Sequence, residues 1–374
     1  MPSSMRWLVA LVIWSIPTLL FGCSCVEYGT RRPCPFMRDA SDVIFAGTLL
    51  AIENPPVSPE SPESRTLEGQ TGQARYTFQV EEAFSGALPK QIDVFSGRGD
   101  GDCSVRFRVG EKYLVDGQRG STGMISAYIC SKTRNFRDSD PLLAELRMIR
   151  DGKKPDLLFG TFWRMQEPWG GASDPDYNQP LGDRTINLRL GERAFQTQTD
   201  TNGNYSFREL PPGKFTISAD LPPTLVLGEL ILDVPVPSVE VAADSCGEYQ
   251  IKALPTGIIS GQVLARDGTG VSGWDATDMQ LFRADRYTEK PTGWDDAGWR
   301  NFPKDGGYFV FDHVAPGDYI LVYNASNTTD AHRKFPRTFY PSSPDLDHAT
   351  RIHLGEGESV TEIVVHVAAQ TPSQ

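Results

Sequence analysis

Two segments of the chain, NGNYSFRELPPGKFTI from Asn202 and GGYFVFDHVAPGDYIL from Gly306, align without a gap. The alignment matches Gly203 with Gly307, Phe207 with Phe311, Pro212 with Pro316, Gly213 with Gly317 and Phe215 with Tyr319. Self-similarity at this spacing predicts two homologous domains. Within each copy the pattern is a strand, a Pro-Gly turn and a returning strand, with alternating aromatics directed into a sandwich core. The 35 glycines and 28 prolines of the 374-residue chain fit many strands joined by tight turns. We therefore expect a mainly β fold.

The chain's first 22 residues read differently. Arg6 is the single charge before Glu27, and the apolar run from Trp7 to Gly22 is too short to span a bilayer comfortably, so it reads as a signal peptide. The mature chain is then expected to begin at Cys23, exported to a secreted or envelope location. Two routes of processing fit. LFGC resembles a bacterial lipobox, which would put a lipid on Cys23. Cysteine parity favours the other route, because Cys23, Cys25, Cys34, Cys103, Cys130 and Cys246 permit three disulfides in an exported chain. A soluble product is favoured over an anchored one.

Residues 23–152 read as one unit. SDVIFAGTLLAI, ARYTFQVEEAF, QIDVFSG, VRFRVGEKYLVDGQ and GMISAYIC supply short strands, and the Pro-, Glu- and Ser-rich stretch at 53–73 reads as a loop. Five or six such strands favour a small barrel. DSDPLLAELRMIRDGKK closes the unit as a helix, capped at Asp138 or Ser139, with Pro141 in its first turn and Leu142, Leu146 and Ile149 as its apolar stripe. Boundaries are expected near 151–156 and 253–257, giving sandwich domains at 156–254 and 255–369.

The cysteine pattern carries a resemblance. CSC at the mature start, SDVIFAGTLL, FSGALPKQIDVFSG and DCSVRFRVGEKYLVDG with MISAYIC resemble, in order and spacing, the netrin-like inhibitory domain of tissue inhibitors of metalloproteinases. The resemblance implies an OB-type barrel, with Cys23 paired to Cys103 and Cys25 to Cys130, leaving Cys34 and Cys246. It also implies a protein partner, a zinc endopeptidase whose metal would be chelated by the Cys23 amine and carbonyl while Ser24 enters the adjoining pocket. The two repeats, with GIISGQVLARDGTGVSG opening the second and LLFGTFWRM the first, resemble carboxypeptidase regulatory-like or transthyretin-like β-sandwich modules. Such modules imply spacers or binding platforms.

Other classes of function find little support. The formal charge of −12 opposes nucleic acid and anionic lipid, leaving a lipid on Cys23 as the one membrane contact to expect. No nucleophile elbow, H-E-x-x-H or phosphate-cradling loop occurs, so we expect no catalytic residues, no cofactor and no enzyme. All five histidines lie at or after His313, far from the cysteines, and no metal site is expected. Arg98-Gly99-Asp100 and DTNGN from Asp200 read as turns. An alternative to protein binding is a glycan-binding adhesin or a structural envelope protein. In the glycan reading Trp294 and Trp299, in the polar segment TGWDDAGWRNF, would stack on sugar rings from an exposed loop; in the other reading, which the usual burial of tryptophan favours, they cover core edges or interdomain seams.

Overall fold

The computed structural model describes residues 42–53, 74–85, 87–97, 104–105, 107–128, 131–166, 178–228, 238–243, 245–272, 278–285, 287, 299–327 and 334–368. The leader, Cys23, Ser24, Cys25, Cys34, Cys103, Cys130, Trp294 and most of the 53–73 stretch lie outside them.

Strand β1 (Asp42–Glu53) is the longest of the first unit, and its run Val43 to Ala46 is buried throughout. Alternation explains this: Val43 and Phe45 face one core, while Ile44 and Ala46 face another. β1 pairs antiparallel with β2 (Ala74–Ala83), which pairs with β3 (Gln91–Ser96). β4 (Lys112–Arg119) returns to β1, and β5 (Ile125–Ser126) bridges β4 to β3, meeting β3 in parallel. The circuit β1-β2-β3-β5-β4-β1 closes a five-stranded OB-type barrel. Phe45, Tyr76, Phe78, Phe107 and Tyr113 fill it with edge-to-face and tilted ring contacts. β6 (Arg134–Asn135) extends the sheet along β4.

Helix α1 (Pro141–Arg150) follows. Its cap is Asp140, whose side chain accepts from the Leu142 and Leu143 amides, and not Asp138 or Ser139 as the sequence suggested. Pro141 accounts for the difference: it favours the first helical position, which makes the residue before it the cap. Leu142, Leu143 and Leu146 cover Ile44, Ala46, Phe84 and Leu114 on the barrel exterior, and Arg147 and Arg150 pair with Glu82.

The remaining strands form two sandwiches of equivalent topology. In the first, β7 (Leu158–Met165) takes β8 (Asn178–Pro180) at one end. β9 (Thr185–Leu190), β10 (Arg193–Gln198), β11 (Asn204–Phe207), β12 (Gly213–Ala219), β13 (Leu225–Leu227), β14 (Ser238–Val241), β15 (Gly247–Glu248) and β16 (Ile251–Pro255) follow. One sheet runs β10-β9-β12-β14 and the other β11-β7-β16-β13, with β16 and β15 both parallel to β7.

The second sandwich repeats the plan with β17 (Gly257–Ala265), β18 (Met279–Arg283), β19 (Trp299–Asn301), β20 (Tyr308–Val314), β21 (Gly317–Tyr323), β22 (Thr338–Phe339), β23 (Ile352–Leu354) and β24 (Ser359–Val367). β20-β17-β24 matches β11-β7-β16, and β19-β18-β21 with β23 matches β10-β9-β12-β14. The copies diverge where β21 replaces the alternation of β12 with the continuous run Tyr319 to Tyr323, all buried. Tyr319, Leu321 and Tyr323 face the sandwich core, whereas Ile320 and Val322 face a second layer built from Phe282, Phe339, Leu346 and Ala349.

A glycine recurs at the same place in both copies. A Cβ on Gly160 would lie 2.0 Å from the Tyr249 carbonyl oxygen, and one on Gly261 would lie 1.9 Å from that of Ile363. Each glycine thus lets the parallel closing strand approach its first strand. Gly160→Ala and Gly261→Ala should each destabilise their own sandwich by about 1–3 kcal/mol, since backbone must move to make room. Thermal melts of the two variants would check this, and unchanged melting temperatures would contradict it.

Candidate functional site

The residues richest in charge and hydrogen bonding among those described lie where barrel, helix and first sandwich meet. Arg134, on β6, is nearly buried and is held by carboxylates from both sides. Toward the helix, its Nε and Nη2 donate to Asp140 at 2.9 and 2.7 Å. Toward the sandwich, Nη1 and Nη2 donate to Glu248 of β15 at 2.9 and 2.6 Å. Both contacts are bidentate, the geometry that a planar guanidinium favours. Lys132 Nζ adds a second cation 3.5 Å from Glu248.

These groups set each other's protonation. Burial pushes the Glu248 carboxyl up, but Arg134 and Lys132 outweigh it and hold the group below the ordinary carboxylate range. Burial likewise disfavours the Arg134 cation, and the charges of Asp140 and Glu248 more than reverse that effect. Glu145, on the buried side of α1, goes the other way: burial raises its pKa, although its Oε2 accepts from the Asp156 amide at 3.0 Å.

The network continues into the sandwich. Gln250 Nε2 donates to Glu248 at 2.7 Å, and its Oε1 accepts from Trp163 Nε1 at 2.8 Å and from the Thr161 amide at 3.2 Å. Asn204, on β11, donates to the Ser139 carbonyl at 2.6 Å and accepts from Thr161 Oγ1 at 2.9 Å. Arg134, Asn135, Ser139, Trp163, Asn202 and Asn204 line a shallow cleft along this seam. Its ion pairs and hydrogen bonds tie Arg134 and Ser139 to Glu248 and Asn204 of the first sandwich, so the arrangement clamps the two parts together.

Of the residues expected from sequence, Trp299 and Cys246 are described, and neither lines this cleft. Trp299 does not stand on an exposed loop: it opens β19 opposite Leu281, half-buried, and its indole stacks on Phe311 at the edge of the second core. Strand pairing accounts for the correction, because it turns that face of the ring inward. Cys246 is buried beside Phe159 and Leu146 and is disulfide-bonded, with its partner outside the described residues. Sequence reasoning missed Arg134 and Glu248, which are 114 positions apart. Neither carries a local signal, since Glu248 stands among Ser245, Gln250 and Lys252 in SCGEYQIK.

Among the described residues no group of three or more His, Cys, Asp or Glu side chains is placed to hold a metal ion. No described helix is long and apolar enough to cross a membrane.

No family model matches the chain, and no curated protein matches it. Among solved structures, the minor pilin GBS52 of Streptococcus agalactiae is similar at 14% identity over 58% of this chain and 99% of its own, with a TM-score of 0.23. A streptococcal ancillary pilin is similar at 13% identity over 90% of this chain and 95% of its own, also at 0.23. The shaft pilin SpaA of Lactobacillus rhamnosus GG is similar at 9% identity over 58% and 98%, at 0.24. Scores of this size carry neither fold nor activity across, and the architecture stands on the strand order of this chain.

Removing Glu248 leaves Arg134 and Lys132 with Asp140 as the one carboxylate of a largely buried cluster, an excess positive charge, so Glu248→Gln should cost about 3–5 kcal/mol at neutral pH. The sign of the pH dependence follows from the lowered pKa. Glu248's contribution is fully present above its ordinary value of 4.5 and is lost as pH falls through the depressed folded value. The gap in melting temperature between wild type and variant should therefore narrow from pH 7 to pH 3. A gap that stays constant would contradict the assignment.

Proposed function

We propose that the chain is an exported, non-catalytic binding protein of the cell surface, in which two tandem sandwiches hold the OB-type barrel in a fixed orientation. We take the barrel as residues 23–152 and the sandwiches as 156–254 and 255–369. The observation that carries the reading is the pair of stiff junctions. The Arg134 clamp joins barrel to first sandwich. Thr256 alone separates β16 from β17, and there Arg164 Nη2 donates to both oxygens of Glu356 at 2.8 and 2.7 Å. His313 Nδ1 lies 3.0 Å from the Pro255 carbonyl across the same joint. Spacers that only separated domains would need neither device; a scaffold that presents a surface does.

Fractionation of producing cells with surface labelling tests the location. Recovery of the chain in the envelope or the medium supports the proposal, and recovery with the cytosol contradicts it.

Inhibition of a zinc endopeptidase through Cys23, Ser24 and Cys25 is a second, narrower reading, favoured by the barrel's strand order and the C-x-C start. In it Cys23 pairs with Cys103 and Cys25 with Cys130, and the free amine of Cys23 chelates the partner's zinc from its open position. One alanine added before Cys23 should then abolish inhibition while leaving the thermal melt unchanged. Inhibition that survives the extension, or that is absent from the unextended chain, removes this reading and leaves the presenting scaffold. A glycan partner is the remaining alternative, and with Trp299 packed against Phe311 it rests on Trp294; a glycan array with Trp294→Ala as control tests it.

A further inference from the structure

Cys246 immediately precedes β15, 2% exposed, in an apolar layer shared with Ile44 and Leu114 of the barrel, Leu146 of α1 and Phe159 of β7. It is disulfide-bonded, and no described cysteine is free. The chain's other five cysteines, Cys23, Cys25, Cys34, Cys103 and Cys130, all precede β6 and α1. Whichever of them is the partner, the bond joins the first sandwich to a residue that precedes β6 in the chain.

We infer that the Cys246 disulfide is a covalent staple across the barrel–sandwich junction, lying beside the Arg134 clamp. The two devices differ in kind. The ion cluster holds the domains only while both are folded, whereas the staple keeps their chains together in the unfolded state and so limits the entropy gained on separation. Forming it removes two electrons and two protons from two thiols. A disulfide of the export compartment, protein-borne or small, accepts them and becomes a dithiol. The two pairings that the resemblance implies leave Cys34 as the remaining partner, and the staple itself requires only that the partner precede Ser131.

The test uses the mature chain refolded in a glutathione redox buffer, so that its outcome does not depend on where the protein resides. A recognition sequence for a specific protease is inserted between Lys153 and Lys154, which are exposed in the link between α1 and β7. After cleavage, denaturing electrophoresis without reductant should give one band at the full mass, and with reductant two. Cys246→Ser should give two bands in either case. Two bands from the unreduced parent chain overturn the inference. Where the serine variant fails to fold, a non-reducing peptide map of the parent decides: the Cys246 peptide joined to one from residues 23–130 supports the staple, and that peptide unlinked, or joined to its own copy from a second chain, overturns it.

Discussion

One guanidinium, gripped by two carboxylates from different domains, determines how this molecule is assembled. Arg134 is nearly buried, and four hydrogen bonds of 2.6–2.9 Å tie it to Asp140 and Glu248. A docking that buried one of these charges without its partner would leave it uncompensated, which disfavours such arrangements. Asp140 serves twice, since the carboxylate that holds Arg134 also caps α1. The helix that covers the barrel and the cation that docks the sandwich are thereby fixed together. Leu142, Leu143 and Leu146 then complete an apolar layer with Phe159 and Cys246 from the sandwich side.

The two sandwiches show what a repeated framework keeps and what it alters. Both retain the glycine in the first strand and the closing strand parallel to it, because those features build the fold. What differs is the face turned outward from that strand. In the first copy Thr161, Trp163 and Asn204 face the barrel seam. At the position equivalent to Asn204 the second copy has Tyr308, 57% exposed, with Val310 beside it at 50%. The second copy instead covers its opposite sheet with the layer of Phe339 and Leu346.

Much of this was legible in the sequence. Gap-free repeats with Pro-Gly turns indicate duplicate sandwiches because each such turn needs its glycine and each strand its alternation. The run Tyr319 to Tyr323 breaks that alternation, and so signals a strand covered on both faces, though not by what. The helix was evident from its leucines, and its cap was misplaced by a residue because several acidic and hydroxyl side chains precede Pro141. For Trp299 the sequence left an exposed loop and a core edge both open, because a polar context does not reveal pairing with a strand earlier in the chain, and the structure has it at the core edge. The clamp was not legible at all: a contact across 114 residues leaves no local periodicity, and Arg134 and Glu248 each look like ordinary surface charges.

The central claim is that barrel and first sandwich behave as one body. Native-state hydrogen exchange addresses it most directly, because Leu114 lies in the barrel wall and the Tyr249 amide donates to Phe159 in the sandwich at 2.8 Å. The account predicts that both amides exchange only through the same opening, with equal free energies and equal response to denaturant. Exchange at Leu114 through an opening that leaves Tyr249 protected would show that the barrel unfolds on its own, and would contradict the account.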